Sequence, residues 1–287
     1  MGRIFIAGAA GNIGSALVEE LDRDGIVAGV HSPEKAETLA GKGVEARVFD
    51  FADADSMARA MDGCDRLFLV LPFREELARY GRLAVDAAKA AGIEYIVRSS
   101  GYGASSDAHW RLGREQGMVD QFVEDSEIPF TTLRPNSFMQ NFIGPLAPMV
   151  RSGVIALPEE DYAVSYIDVR DIAACAARLL TDGEGHTGNA YALTGPEGLT
   201  LHQVAGKIAA AGGITVTYTP VEEEAFIRAL DTNGVPEWNR NMLVSLSRVV
   251  KLGMMGNVTQ AVEYLTGTPA RSFDGFAEEN AGAWKQP

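Results

Sequence analysis

The chain has 287 residues, 46% of them hydrophobic and 22% charged, which excludes wholesale disorder and allows about two small domains or one domain with an appended lobe. With 25 Lys and Arg against 39 Asp and Glu, the formal net charge is −14, spread without an acidic tail or a basic arm. So acidic a surface repels phosphate backbones and anionic membranes, so the expected partner is a small molecule, neither nucleic acid nor membrane.

The first half alternates short β-rich runs with stretches of helical spacing. Strands are expected at RIFIAG from Arg3, IVAGVH from Ile26, EARVFDF from Glu45, RLFLVLP from Arg66, EYIVRSS from Glu94 and FTTLRP from Phe130. Helices such as Ile13 to Leu21 and Leu77 to Ala91 fall between them. Continuous apolar runs such as Leu67–Leu71 indicate strands covered on both faces, as in a parallel sheet. Past about residue 137 the rhythm breaks at Gly144-Pro145, Gly153 and Pro158. A β-like run entering a helix over Ser165–Leu180, and a strand AYALTG from Ala190, read as sheet elements returning, and the tail from Pro220 reads as mostly helical. The expected class is α/β: a Rossmann-type, doubly wound parallel sheet with a smaller, interleaved C-terminal lobe. The sheet domain is assigned to residues 1–140 with elements returning at about 165–196, and the lobe to 141–164 and 197–287.

The most specific motif is Gly8-Ala9-Ala10-Gly11-Asn12-Ile13-Gly14, which follows a strand and opens a helix. Gly8 permits a tight turn, and Gly11 lets backbone N–H groups approach a pyrophosphate. Gly14 lets the helix pack close, and the start of that helix, through Ala10, Asn12 and Ile13, offers partial positive charge to an anion. At the end of the second strand, where an acid would receive a ribose 2′-OH, stand His31, Ser32 and Lys35, which could hold a 2′-phosphate. The expected cofactor is therefore NADP(H) more than NAD(H). Asp50 and Phe51 at the third strand end, Leu71 and Pro72 at the fourth, and Ser99 and Gly101 at the fifth are candidate cofactor-lining positions, because ligands gather at the carboxyl ends of parallel strands.

None of the eight tyrosines is followed four residues later by lysine, so a Tyr–Lys proton-transfer pair is not expected. Tyr102, just past the fifth strand, is the best-placed phenol to face a substrate. Asn136, ending LRPN, could anchor a nicotinamide amide or a substrate carbonyl, or could simply be turn chemistry after proline. Asp168 and Asp171 read as a helix N-cap with an acid in the first turn. His31, His109, His186 and His202 lack metal-ligand spacing, so no metal is expected. With only Cys64 and Cys175, far apart, the cysteines are expected to be reduced thiols of a cytoplasmic chain. The short N-terminal apolar run is too brief for a signal peptide.

GAAGNIG from Gly8, IPFTTLRPNSFMQNF from Ile128, SYIDVRDIA from Ser165 and YALTGPEGLT from Tyr191 together resemble the NmrA-like branch of atypical short-chain dehydrogenases. The resemblance spans most of the chain and weakens in the C-terminal lobe. It implies an NADP-binding Rossmann domain, a smaller C-terminal lobe, and an active site in the cleft between them. Two departures accompany it. His31 stands where members commonly carry arginine. Gln116 falls where they have lysine or histidine near the nicotinamide, and Asp120 where they often have glutamate. Gln116 can hydrogen-bond a ribose or substrate oxygen but cannot donate a proton at neutral pH. The activity expected is an NAD(P)H-dependent reductase passing hydride to a small apolar acceptor (a quinone, dye or conjugated carbonyl), with Tyr102 and Gln116 as candidate catalytic residues. The alternative is a non-enzymatic NADP(H)-binding redox sensor, and monomer or homodimer is left open.

Overall fold

A computed structural model describes residues 2–21 and 23–285. Its strands are β1 (Ile4–Ala7), β2 (Ile26–Val30), β3 (Ala46–Val48), β4 (Arg66–Val70), β5 (Tyr95–Ser99), β6 (Phe130–Pro135), β7 (Val154–Leu157), β8 (Ala190–Leu193) and β9 (Thr217–Pro220). The helices are α1 (Asn12–Glu20), α2 (Pro33–Ala40), α3 (Ala54–Met61), α4 (Leu77–Ala91), α5 (Arg111–Glu124), α6 (Ala147–Arg151), α7 (Val169–Thr181), α8 (Leu201–Gly212), α9 (Glu223–Thr232), α10 (Glu237–Val250), α11 (Ala261–Thr266) and α12 (Phe273–Glu279).

Seven strands make one sheet in the order β3-β2-β1-β4-β5-β6-β8. β1 pairs in parallel with both β2 and β4, Ile4 standing opposite Ile26 on one side and Arg66 on the other. The strand order reverses at β1, and in doubly wound folds a reversal of this kind opens a ligand crevice at the carboxyl ends of the strands. The sequence explains the burial. β1 (IFIA) and β2 (IVAGV) are buried at every position, as strands covered on both faces must be. On one face Phe5, Ala7, Val27, Leu67 and Leu69 pack with Met57 and Met61 of α3 and with Ala84, Val85 and Ala88 of α4. α4 ends where expected because Gly92 takes the left-handed conformation (φ 76°) and its N–H closes on Ala88 O.

The chain divides into two compact units: Met1–His109 with Gly113–Arg134 and Val169–Ala192, and Trp110–Leu112 with Pro135–Asp168 and Leu193–Pro287. The first holds most of the large sheet. Within the second, β7 and β9 form a small parallel pair, Val154 opposite Thr217. An aromatic cluster of Phe142, Tyr166, Phe273 and Phe276 forms part of its core, and Trp284 Nε1 donates to Phe142 O at 2.8 Å. α8 starts with a full capping box, Thr200 and Gln203 each bonding the other's backbone N–H.

Two expectations change. The β-like run at Ser165 is not a strand: Ile167 makes only an isolated bridge to Phe138 before α7 begins at Val169. β7 and β9, not anticipated as strands, are four residues each and largely uncovered on one side, which leaves little apolar pattern to read. Both cysteines are buried, at 4% exposure for Cys64 and 0% for Cys175. Burial pushes both thiols up, Cys175 to about 12.

Candidate functional site

The glycine turn builds its own cradle. Gly8 sits at φ +73°, a conformation side-chain-bearing residues resist, and Gly11 N–H donates back to Gly8 O at 2.9 Å. A Cβ on Gly14 would fall against Gly8 O and lie 2.8 Å from Ala9 Cα, so the third glycine packs the helix on the turn itself as much as on the strand. α1 then opens with Gly11 as N-cap, with no side-chain capping bond and no acid in its first turn. Its first N–H groups are thus left for an anion. Ala10 and Asn12 are exposed, whereas the Ile13 side chain is buried and only its backbone is available to a ligand. The turn fits the pyrophosphate of a dinucleotide.

Beside it lies a cavity of about 330 Å³ at the carboxyl ends of β1 to β4, lined by Gly8, Ala10, Gly11, Gly29, Val30, His31, Lys35, Asp50, Phe51, Val70, Leu71, Pro72, Arg74 and Tyr80. Nine of the expected cofactor positions meet in it. Gly29 is required at its floor, since a Cβ there would run into the ring of Phe5 and come within 2.9 Å of Phe49 Cε1. Phe49 meets Phe51 edge-on at 4.7 Å, and Phe51 stacks on Tyr80 at 6.1 Å with 28° between the rings. An aromatic wall therefore stands beside Asp50, whose Oδ1 accepts from Ala52 N–H at 2.9 Å. Ser32 does not line the cavity; its Oγ caps α2 by accepting from Lys35 N–H at 3.4 Å. Arg74 and Tyr80 were not singled out in the sequence. Their only signal is place, Arg74 four residues past the end of β4 and Tyr80 one turn into α4.

The end of β5 carries a buried polar cluster instead. Arg98 is 0% exposed and Asp120 2%. Arg98 Nη1 donates to Leu69 O at 3.3 Å and to Ser99 O, and Nη2 donates to the side-chain Oε1 of Gln116. Asp120 Oδ2 accepts from Ser100 Oγ at 3.0 Å and from Arg134 Nε at 3.2 Å and Nη2 at 3.1 Å. Burial pulls the Arg98 guanidinium down to about 10, against the opposing pull of Asp120, so it stays charged at neutral pH. Ser99 is buried, Gly101 and Tyr102 are half-buried in the turn that follows, and a Cβ on Gly101 would sit 3.7 Å from Gln116 Cγ.

Asn136 corrects the expectation of a nicotinamide anchor. It is 2% exposed, both donors of its amide are taken by Ser165 Oγ and Met255 O at 2.8 Å each, and its Oδ1 accepts from Ser137 N–H. A buried amide must be hydrogen-bonded, and this one ties three segments of the second unit together. Asp168 stands just before α7 and accepts from Gln140 Nε2 at 2.8 Å, while Asp171 lies in the first turn of that helix. Also in the second unit, burial pushes the Glu159 carboxyl up to about 7, and burial, with a smaller contribution from the Glu159 charge, raises the phenols of Tyr166 and Tyr218. Among the described residues, no helix is long and apolar enough to cross a membrane, and no group of three or more His, Cys, Asp and Glu could hold a metal.

A glycine-turn cradle at the reversal point of a parallel sheet defines a dinucleotide-binding protein of the Rossmann class. More narrowly, the chain belongs to the NmrA-like family, which matches residues 1–265. It is 32% identical over 283 residues to an NAD(P)H azoreductase of Xenophilus azovorans, covering 98% of this chain and 99% of that one. It is 33% identical over 288 residues to a (4-alkanoyl-5-oxo-2,5-dihydrofuran-3-yl)methyl phosphate reductase of Streptomyces griseus, covering 98% and 99%. Among solved structures, the NADPH-dependent quinone oxidoreductase of Escherichia coli in complex with NADPH superposes with a TM-score of 0.85 at 28% identity, covering 96% of this chain and 99% of that one.

Proposed function

We propose that this protein is an NADPH-dependent reductase that delivers hydride to a small, conjugated, electron-poor acceptor such as a quinone, an azo dye or an unsaturated carbonyl. One observation carries the reading: a pyrophosphate-fitting glycine turn lines the same pocket as His31, Lys35 and Arg74, three residues whose side chains carry nitrogen donors. A ribose 2′-phosphate is a polyanion that such donors hold by charge-assisted hydrogen bonds, and no carboxylate stands at the end of β2 to receive a 2′-OH instead. Arg74 supplies the guanidinium that His31 does not.

NADPH, when bound, supplies the hydride. The chain does the rest by position. Backbone N–H groups of Asn12, Ile13 and Gly14 in the first turn of α1 would hold the pyrophosphate, Lys35 and Arg74 would hold the 2′-phosphate, and Phe51 with Tyr80 would wall the adenine. The Arg98–Gln116 pair offers no proton at neutral pH, so the proton that completes reduction comes from Tyr102 or from solvent. The names of the relatives support this chemistry, because azo, quinone and dihydrofuranone groups all accept hydride at one end of a conjugated system and gather charge on a heteroatom. Relatives at 32 and 33% identity that are reductases over nearly their whole length also favour an enzyme over a redox sensor. Two reduced, buried cysteines suit a cytoplasmic location.

The test is isotopic. NADPH deuterated at C4 should pass its label to at least one member of a panel of quinones, azo dyes and butenolides, with NADPH used in preference to NADH. No transfer to any member would overturn the reductase reading. The double variant Lys35→Ala/Arg74→Ala should raise the KM for NADPH by roughly 10- to 100-fold and leave that for NADH nearly unchanged. Equal loss for both cofactors would remove the 2′-phosphate from this pocket.

A further inference from the structure

A glutamine, Gln116, lies half-buried beside the carboxyl end of β5, and the structure shows what it is attached to. Arg98 lies inside β5, completely buried, at a place where a charged side chain is rare unless paired. Its pairing is unequal. Asp120 directs Oδ2 at Ser100 and Arg134, and its Oδ1 stands 3.9 Å from Arg98 Nε with neither atom making a hydrogen bond. The carboxylate is thus engaged more closely by Arg134 than by Arg98, and the guanidinium spends its other donors on the backbone carbonyls of Leu69 and Ser99 and, through Nη2, on the side-chain carbonyl of Gln116.

That single bond settles which way the amide points. A guanidinium only donates, so it takes the Oε1 end of Gln116 and turns the NH₂ end away. The side chain is half-buried against Gly101 at the carboxyl end of β5, and its Nε2 makes no hydrogen bond to the protein among the described residues. A cation bonded to the carbonyl of an amide polarises its N–H groups and strengthens them as donors, more so where the local dielectric is low.

Resting on the reductase reading, we propose that Gln116 is a catalytic hydrogen-bond donor to the acceptor atom that becomes negatively charged during reduction, and that Arg98 is a positioning residue that orients and polarises the Gln116 amide from behind. In the step this serves, the acceptor carbon gains one hydrogen and two electrons from the cofactor and the conjugated carbonyl π bond shifts onto oxygen. The Gln116 N–H groups bond that oxyanion, and one proton from solvent neutralises it. The acceptor is reduced by two electrons and NADPH leaves as NADP⁺. The buried positive charge supplies electrostatic stabilisation through the amide, and water supplies the proton.

The test combines a kinetic split with a readout independent of turnover. Gln116→Leu should lower kcat for quinone reduction by roughly 100-fold, the usual scale for removing one oxyanion donor, with the KM for NADPH changed less than twofold. Arg98→Met should reproduce that loss although Gln116 remains, and Arg98→Lys should restore most of it. Independently, 4-nitrophenol bound to the NADP⁺-loaded protein should ionise at a lower pH than in free solution, read from the phenolate absorbance. Gln116→Leu should abolish that shift, and Arg98→Met should reduce it. A raised NADPH KM at unchanged kcat would make Gln116 a ribose ligand and overturn the proposal, as would an unaltered nitrophenol titration in Gln116→Leu. If the wild type reduces no acceptor, the reductase reading falls by itself, while the nitrophenol titration still decides the role of Gln116. If Arg98→Met does not fold, Gln116→Leu and Arg98→Lys carry the test.

Discussion

The two units treat their polar groups in opposite ways. In the first, the carboxyl ends of β1 to β4 gather donors around a pocket: uncapped N–H groups at the start of α1, with His31, Lys35 and Arg74 among the lining residues. In the second, polar side chains close on one another. Asn136 joins Ser165 and Met255, Gln140 joins Asp168, and Tyr218 Oη donates to Leu157 O at 2.9 Å. Hydrogen-bonding capacity left open toward a cavity marks a place for a ligand, whereas capacity satisfied internally marks scaffold. Residue type does not separate the two cases: an asparagine after a sheet strand looks like a site in sequence and is a strut in the structure.

The contrast can be broken most severely at the turn. Gly14→Ala directs a methyl group at Gly8 O and Ala9 Cα, backbone that cannot swing aside. We expect about 1–3 kcal/mol of destabilisation from overpacking, and NADPH affinity lower by roughly tenfold or more. Calorimetric titration alongside a thermal melt measures both, and unaltered affinity would mean that the turn does not hold the cofactor. Asn136→Ala should behave in the reverse manner. Removing the two bonds the Asn136 amide donates to Ser165 Oγ and Met255 O, and the acceptor of Ser137 N–H, should cost about 1–3 kcal/mol in urea unfolding, with NADPH affinity nearly unchanged. If affinity falls and stability does not, Asn136 belongs to the site and the contrast fails.

A third effect, confined to stability, concerns pH. Burial raises the Glu159 carboxyl from 4.5 to about 7, so the native state resists its ionisation. The stability associated with the protonated form is complete below about pH 4.5 and is lost as pH rises through 7, by roughly 1–3 kcal/mol. Glu159→Gln should flatten the wild-type decline in urea midpoint between pH 5 and pH 8. Parallel curves for the two proteins would show that Glu159 ionises as freely folded as unfolded.

What could be read in the sequence follows the same division. Backbone devices leave strong local marks, so the glycine turn, the six strands from Arg3 to Pro135 and α4 to the residue were legible. Features made by side chains meeting through the fold were not. Arg74 and Tyr80 reach the pocket from a turn and a helix that topology brings alongside β2 and β3. Arg98 did carry a signal, a lone arginine in EYIVRSS, a run read as covered on both faces. A charge with no route to solvent must have partners, and asking for them would have led to Asp120 and Gln116. The Ser165 run has strand composition but only one bridging residue, because its neighbours Ser165 and Asp168 bond side chains and loop carbonyls instead of a ladder.

The cysteines acquire a meaning from the proposed chemistry. Quinones and unsaturated carbonyls are electrophiles that alkylate thiolates, so an enzyme holding them at high local concentration risks arylating itself. Both sulfurs of this chain are buried and hold their protons well beyond neutral pH. The protein therefore presents no nucleophilic sulfur to the molecules it is proposed to reduce, and should survive repeated exposure to acceptors that would inactivate a thiol-dependent catalyst.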